Sequence, residues 1–163
     1  MADLYTHAAV AVLARLGRPR PTWVPTFVAG TCLPDLARVP QMVFTRLRWD
    51  FPAIPEPLCY VWAPMHLPVG IVLMSYLSAL FFPEAVRRRA FGELLVGGLL
   101  HLLVDLTQTH FGMGYLLFFP FSEWDYELGW IGSEDTVRVV PFLVPITALA
   151  AWWRWRKRPG AAP

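Results

Sequence analysis

Residues 58–82 run for twenty-five positions without a single Asp, Glu, Lys or Arg, and that constrains the chain more than anything else in it. At about 1.5 Å of rise per residue, a helix of that length crosses a hydrocarbon core of roughly 30 Å. The run is read as a membrane span. The rest of the chain agrees with this. It is 56% hydrophobic and 16% charged, with eight tryptophans and eleven phenylalanines, and its mean hydropathy is +0.44. That balance excludes an ordinary soluble domain and points to an integral membrane protein.

Four further apolar segments fall at 4–16, 23–33, 91–106 and 139–155. The expected fold is all-α: a polytopic membrane bundle of about five helices, two of them full-length spans (58–82 and 139–155) and three shorter, in a single membrane-embedded domain over residues 1–163. Pro19, Pro21, Pro34, Pro40, Pro83 and Pro120 sit where helices are expected to stop or start. Pro64 and Pro68 flank His66 inside the longest run, so they should break that helix locally and free backbone groups there. The first apolar segment has no basic residues ahead of it, so it is expected to be retained rather than cleaved as a signal peptide.

The cations set an orientation. If the segments alternate across the membrane, Arg15, Arg18, Arg20, Arg87, Arg88, Arg89, Arg154, Arg156, Lys157 and Arg158 share one side, and Arg38, Arg46, Arg48 and Arg138 the other. The richer side is expected to be cytoplasmic, which puts the N-terminus outside and the C-terminus inside. The basic RWRKR stretch then anchors the chain to anionic lipid, and no nucleic-acid partner is expected. Cys32 and Cys59 lack a CxxC partner, which argues against a zinc-thiolate site, although the outer side permits a disulfide between them.

Against this apolar background four histidines need a reason. In GLLHLLVDLTQTH, His101 and Asp105 stand at i, i+4, which places an imidazole and a carboxylate on one helix face. An ionised carboxylate in an apolar medium is costly unless it is paired or coordinated. The pair suits a divalent metal ion, and it equally suits a hydrogen-bonded contact that holds helices together. Gly97 and Gly98 beside it would let another backbone approach closely. Imidazole and carboxylate without nearby thiolate favour zinc, manganese or iron over copper(I) or a cluster.

Other candidates are less sharp. Asp35 follows Leu33-Pro34, a position typical of a turn or helix N-cap. His66, between two prolines, has few local ways to satisfy its ring. His7 reads as the polar edge of a short helix and His110 as a loop residue. The stretch 122–135 mixes Glu123, Asp125, Glu127, Glu134 and Asp135 with aromatic residues; it reads as a solvated interfacial loop, or else as a lid or a source of further carboxylates. No HExxH occurs, which argues against an intramembrane metalloprotease. On the alternating topology Asp35, His66, His101 and Asp105 all fall in the outer half, although ideal helices would set His66 about 10 Å higher than His101.

Taken in order, His7, the LPD ending at Asp35, His66, HLLVD from His101 to Asp105, and GMGYLLFFPFS over 112–122 resemble the YdjM-like bacterial membrane-bound metal-dependent hydrolases. That family is in turn similar to the zinc phospholipase C and single-strand nuclease group. The resemblance implies a location in the bacterial inner membrane and one metal held by Asp35, His66, His101 and Asp105. It also implies that His7 binds a second metal bridged by Asp105, and that His110 is a ligand or substrate contact. The family's basic-glycine-threonine-histidine-serine stretch is here WAPMHLP, which keeps only His66, and no histidine follows His110. One or two zinc ions are therefore expected rather than three.

The implied reaction is hydrolysis of a phosphoester, with phospholipid as one candidate, by a metal-activated water that Asp35 orients or deprotonates. The alternatives are a non-enzymatic membrane protein that binds or moves a metal or small solute, and a bundle whose polar residues serve only as helix glue.

Overall fold

The computed structural model describes residues 4–16, 23–46, 63–109, 114–132 and 135–156. Five α-helices carry the fold: α1 (Leu4–Leu16), α2 (Val24–Arg46), α3 (Pro68–Ala79), α4 (Glu84–Leu106) and α5 (Thr136–Arg156). A 3-10 turn, Ala63–His66, precedes α3. Two-residue strands β1 (Gln108–Thr109) and β2 (Ile131–Gly132) pair in parallel beyond the end of α4. The expected all-α architecture of about five helices is thus the observed one.

The boundaries differ from expectation in instructive ways. The 58–82 run is not one spanning helix. Residues 58–62 lie outside the described residues, and the remainder divides into the 3-10 turn and a twelve-residue α3. Pro68 causes the division: it lacks the N–H that would continue a helix from upstream, and it forces Leu67 into extended backbone, with φ −94° and ψ 158°. The same proline at the first position of α3 has its φ pre-set for starting a helix.

Pro34 and Pro40 do the opposite of what was expected and lie inside the 23-residue α2. Each removes one intrahelical donor, a loss that membrane helices absorb when neighbouring groups take up the freed carbonyls. Asp35 therefore sits in mid-helix rather than at a turn. The 91–106 segment is also only the apolar part of a longer helix, because α4 opens at Glu84 after Pro83 and carries Arg87, Arg88 and Arg89 in its first turns. The segments end where charge begins; the helices do not. Within α5, Thr136–Arg154 is long and apolar enough to cross a membrane, the one such helix among the described residues.

Helix α4 organises the bundle, with α2 and α3 packed along it, while α1 lies between α2 and α5. The α2–α4 contact is set by glycine. A Cβ on Gly30 would stand 2.3 Å from the Leu94 carbonyl oxygen, and one on Gly97 would stand 2.3 Å from the Phe27 carbonyl oxygen. No side chain fits there, so the two backbones meet directly, as at small-residue helix contacts in membranes. A similar approach at Gly70, whose Cβ would stand 2.0 Å from the Pro64 carbonyl oxygen, folds the 3-10 turn back against α3. Leu67, Ile71, Leu102, Leu106 and Tyr115 form the apolar cluster beside it. In the N-terminal half of α4, Glu93 pairs with Arg15 of α1, whose guanidinium lies 4.1 Å over the Phe27 ring. Arg154 of α5 donates to the carbonyls of Arg15 and Leu16, which closes the end of α1.

Candidate metal centre

Each close approach in the fold delivers one polar side chain to the same place. Gly30 and Gly97 bring α2 against α4, which sets the Thr31 carbonyl 2.8 Å from His101 Nδ1. Asp35 follows one turn later on α2, and Asp105 one turn after His101 on α4. The turn folded over Gly70 presents His66, and α1 inserts His7, whose ring stacks on that of His101 at 3.8 Å between centroids. The His66 ring meets His101 edge-on at 5.2 Å. The 10 Å depth difference expected between His66 and His101 vanishes because His66 lies on the folded-back turn and not on an ideal helix.

Five of the six residues singled out in the sequence are therefore together, and His110 lies outside the described residues. All five are buried: His7 and His101 at 0% exposure, Asp105 at 1%, His66 at 2% and Asp35 at 8%. His7 Nε2 is 3.2 Å from Asp105 Oδ1 and 3.9 Å from Asp35 Oδ2. His101 Nε2 is 3.2 Å from Asp105 Oδ2, and His66 Nε2 is 3.4 Å from Asp35 Oδ1.

Hydrogen bonding accounts for only one of these contacts, that of His66 Nε2 with Asp35 Oδ1. His7 Nε2, His101 Nε2 and Asp35 Oδ2 are buried without a hydrogen-bond partner, as are the Nδ1 atoms of His7 and His66. His7 Nε2 and His101 Nε2 lie near carboxylate oxygens without hydrogen-bonding geometry. His101 is the clearest case. Its Nδ1 can meet a carbonyl oxygen at 2.8 Å only as a donor, so in the neutral ring Nε2 is a bare lone pair turned towards a carboxylate oxygen. Two acceptors 3.2 Å apart repel unless a proton or a cation lies between them.

A divalent cation fits this donor set. With ligand bonds of about 2.0–2.1 Å, tetrahedral geometry places neighbouring donor atoms about 3.3–3.4 Å apart, close to the separations of 3.2 and 3.4 Å found here. Two overlapping groups, His7 with Asp35 and His101, and His66 with His101 and Asp105, each offer three donor atoms within 4.8 Å of one another. The charge also matches, since two carboxylates buried without compensation would cost several kcal/mol each. A carbonyl that holds the far nitrogen of a histidine is the usual outer partner of a metal-ligating imidazole.

Two contributors escaped the sequence reading. Tyr115 donates its hydroxyl to Asp105 Oδ2 at 2.7 Å, and Gln108 Nε2 donates to Asp105 Oδ1 at 3.1 Å. Gln108 stands three residues after Asp105, a helical spacing that could have flagged it. Tyr115 carried no such signal. Burial first, and then the charge of Asp105, push its phenol far above the ordinary tyrosine range, so it remains a donor. Tyr115 belongs to the loop that holds the acidic and aromatic stretch. It bridges Tyr126 through paired backbone hydrogen bonds, and Leu128 and Trp130 donate to the carbonyls of Leu106 and Thr107 at the end of α4. Phe118, Trp124 and Tyr126 stack in the same loop. Of the carboxylates considered there as extra ligands, Glu123 and Asp125 are exposed, and Asp125 accepts from the Gly114 amide. Glu134 lies outside the described residues, as does Cys59, the suggested partner of the half-buried Cys32.

No curated protein and no solved structure matches the chain. A family model described as YdjM inner membrane protein matches residues 3–162, and the chain belongs to that family of inner membrane proteins.

Proposed function

We propose that this protein is a metal-dependent hydrolase of the membrane, cutting a phosphoester, with phospholipid the foremost candidate, at a site facing the outer side. The observation that carries the reading is the convergence of His7, Asp35, His66, His101 and Asp105, with His7 Nε2, His101 Nε2 and Asp35 Oδ2 close to one another's partners yet without hydrogen bonds of their own. One or two divalent ions held there, zinc by preference and manganese or iron otherwise, would supply Lewis acidity and an acidified water.

The protein's own residues divide the remaining work. Thr31 fixes the tautomer and orientation of His101. Asp35 is the least covered of the five and keeps Oδ2 without a partner, so it is the carboxylate placed to accept a proton from an attacking water. A mostly apolar cleft of about 250 Å³, lined by Arg15, Phe27, Val96, Leu99, Leu100 and Leu103 on the same helices, offers room for an acyl chain. The outward orientation rests on α4: twelve residues, about 18 Å of helix, separate Arg89 at its basic end from His101.

The test is hydrolysis by the purified protein in lipid nanodiscs, with a chromogenic phosphodiester and with labelled phospholipid. Turnover that disappears on chelation, returns with zinc and falls about 10²–10⁴-fold in Asp35→Asn supports the reading. Turnover equal in wild type and variant overturns it. The near-complete burial of His7, His101 and Asp105 favours a second reading, in which a bound cation only ties α1, α2 and α4 together. Stoichiometric metal without hydrolysis of either substrate would select it.

A further inference from the structure

We infer that Tyr115 is a positioning residue: together with Gln108 it locks the Asp105 carboxylate so that each oxygen faces one imidazole. The inference rests on the metal-centre reading above and adds to it the groups that make Asp105 a fixed ligand. Asp105 Oδ2 takes the Tyr115 hydroxyl at 2.7 Å and lies 3.2 Å from His101 Nε2. Asp105 Oδ1 takes the Gln108 amide at 3.1 Å and lies 3.2 Å from His7 Nε2. Each oxygen thus has one neutral donor on one side and one imidazole nitrogen on the other.

The arrangement has a physical consequence. A carboxylate on an isolated helix turns freely about its last bond, which would let it offer both oxygens to one neighbour. Donors on both oxygens remove that freedom and leave the remaining lone pairs aimed at two different rings. The two donors also come from different parts of the chain. Gln108 follows α4 directly. Tyr115 is held by its ring in the cluster of Leu67, Ile71, Leu102 and Leu106 and by its backbone pairing with Tyr126. The phenol therefore approaches Asp105 from an anchored direction, and removing its oxygen alone leaves that anchor intact.

The experiment is cobalt(II) titration of the purified apoprotein, followed by visible absorption and by the rate of cobalt release to a chelator, in wild type, Tyr115→Phe and Gln108→Leu. Tyr115→Phe is expected to weaken cobalt binding by about 10–100-fold, the usual effect of losing an outer partner, with faster release and a changed ligand-field spectrum. Gln108→Leu, which frees the other oxygen, is expected to weaken binding by a similar factor and to change the spectrum differently. Wild-type binding with the same affinity, release rate and spectrum in both variants overturns the positioning role while leaving the metal centre standing. Absence of any cobalt absorption in the wild type overturns the metal centre and this inference together.

Discussion

The Nδ1–H of His101 donates to the Thr31 carbonyl at 2.8 Å, and this contact between α4 and α2 decides the chemistry of the opposite ring nitrogen. Because the near side of the ring is committed to a backbone acceptor, Nε2 of the neutral ring faces Asp105 as a lone pair. His101→Ala is therefore expected to abolish metal retention, beyond the roughly 10–100-fold cost of removing an outer partner. Circular dichroism should still report a helical protein. Metal content measured after desalting checks this.

The glycine contact between α2 and α4 makes a second expectation, read by comparison within one helix. Gly97→Ala places a Cβ 2.3 Å from a backbone oxygen, so the helices must part, at an expected cost of about 1–3 kcal/mol and with weaker metal binding. Gly92 is on the same helix with nothing within 4 Å of its missing Cβ. Gly92→Ala is expected to be neutral or to stabilise by about 0.4–1 kcal/mol. Thermal unfolding of both variants in detergent tests the pair, and equal effects would contradict the packing account.

Alkaline titration should reveal the buried phenol. Tyrosine ordinarily ionises near pH 10, and Tyr115 is pushed above that by burial and by Asp105. The folded state then holds a proton that the unfolded state releases, so this group's contribution is complete below about pH 10 and is lost as pH rises further. Wild type should lose stability above pH 10 more steeply than Tyr115→Phe. Tyrosinate absorbance from the folded protein should be the same in the two, because Tyr115 does not ionise in that range.

Asp35 and His66 separate ligation from turnover. Their 3.4 Å contact gives His66 a fixed neighbour, while Asp35 Oδ2 stays unpartnered. His66→Ala is expected to lower metal affinity and turnover together. Asp35→Asn should lower turnover by about 10²–10⁴-fold with a smaller loss of metal. Parallel assays of metal content and hydrolysis distinguish the two patterns.

Much of this site was legible in the sequence, for identifiable reasons. The i, i+4 spacing of His101 and Asp105 was readable because α4 runs to Leu106 and so keeps both in one helix. The prolines around His66 correctly signalled a broken helix, yet the uncharged stretch around them was still read as one span, since hydropathy records composition and not continuity. Pro34 misled in the other direction. Proline is a strong helix breaker in water, but inside a packed bundle α2 runs through it and carries Asp35 onto the site-facing side. His7 sits beside Tyr5 and Thr6 on a short helix, and neither period nor spacing tied it to residues far away in the chain. Tyr115 was invisible for a different reason: a tyrosine among aromatic loop residues has no pattern that distinguishes the one whose hydroxyl points inward.

In the proposed metal centre, five side chains from α1, α2, the turn before α3, and α4 hold a divalent cation. Elemental analysis of the purified protein after zinc loading and desalting, alongside His7→Ala and His101→Ala, tests it most directly. One or two equivalents of zinc in the wild type, with a clear loss in both variants, is the expected result. The same trace amount of metal in all three proteins would contradict the account.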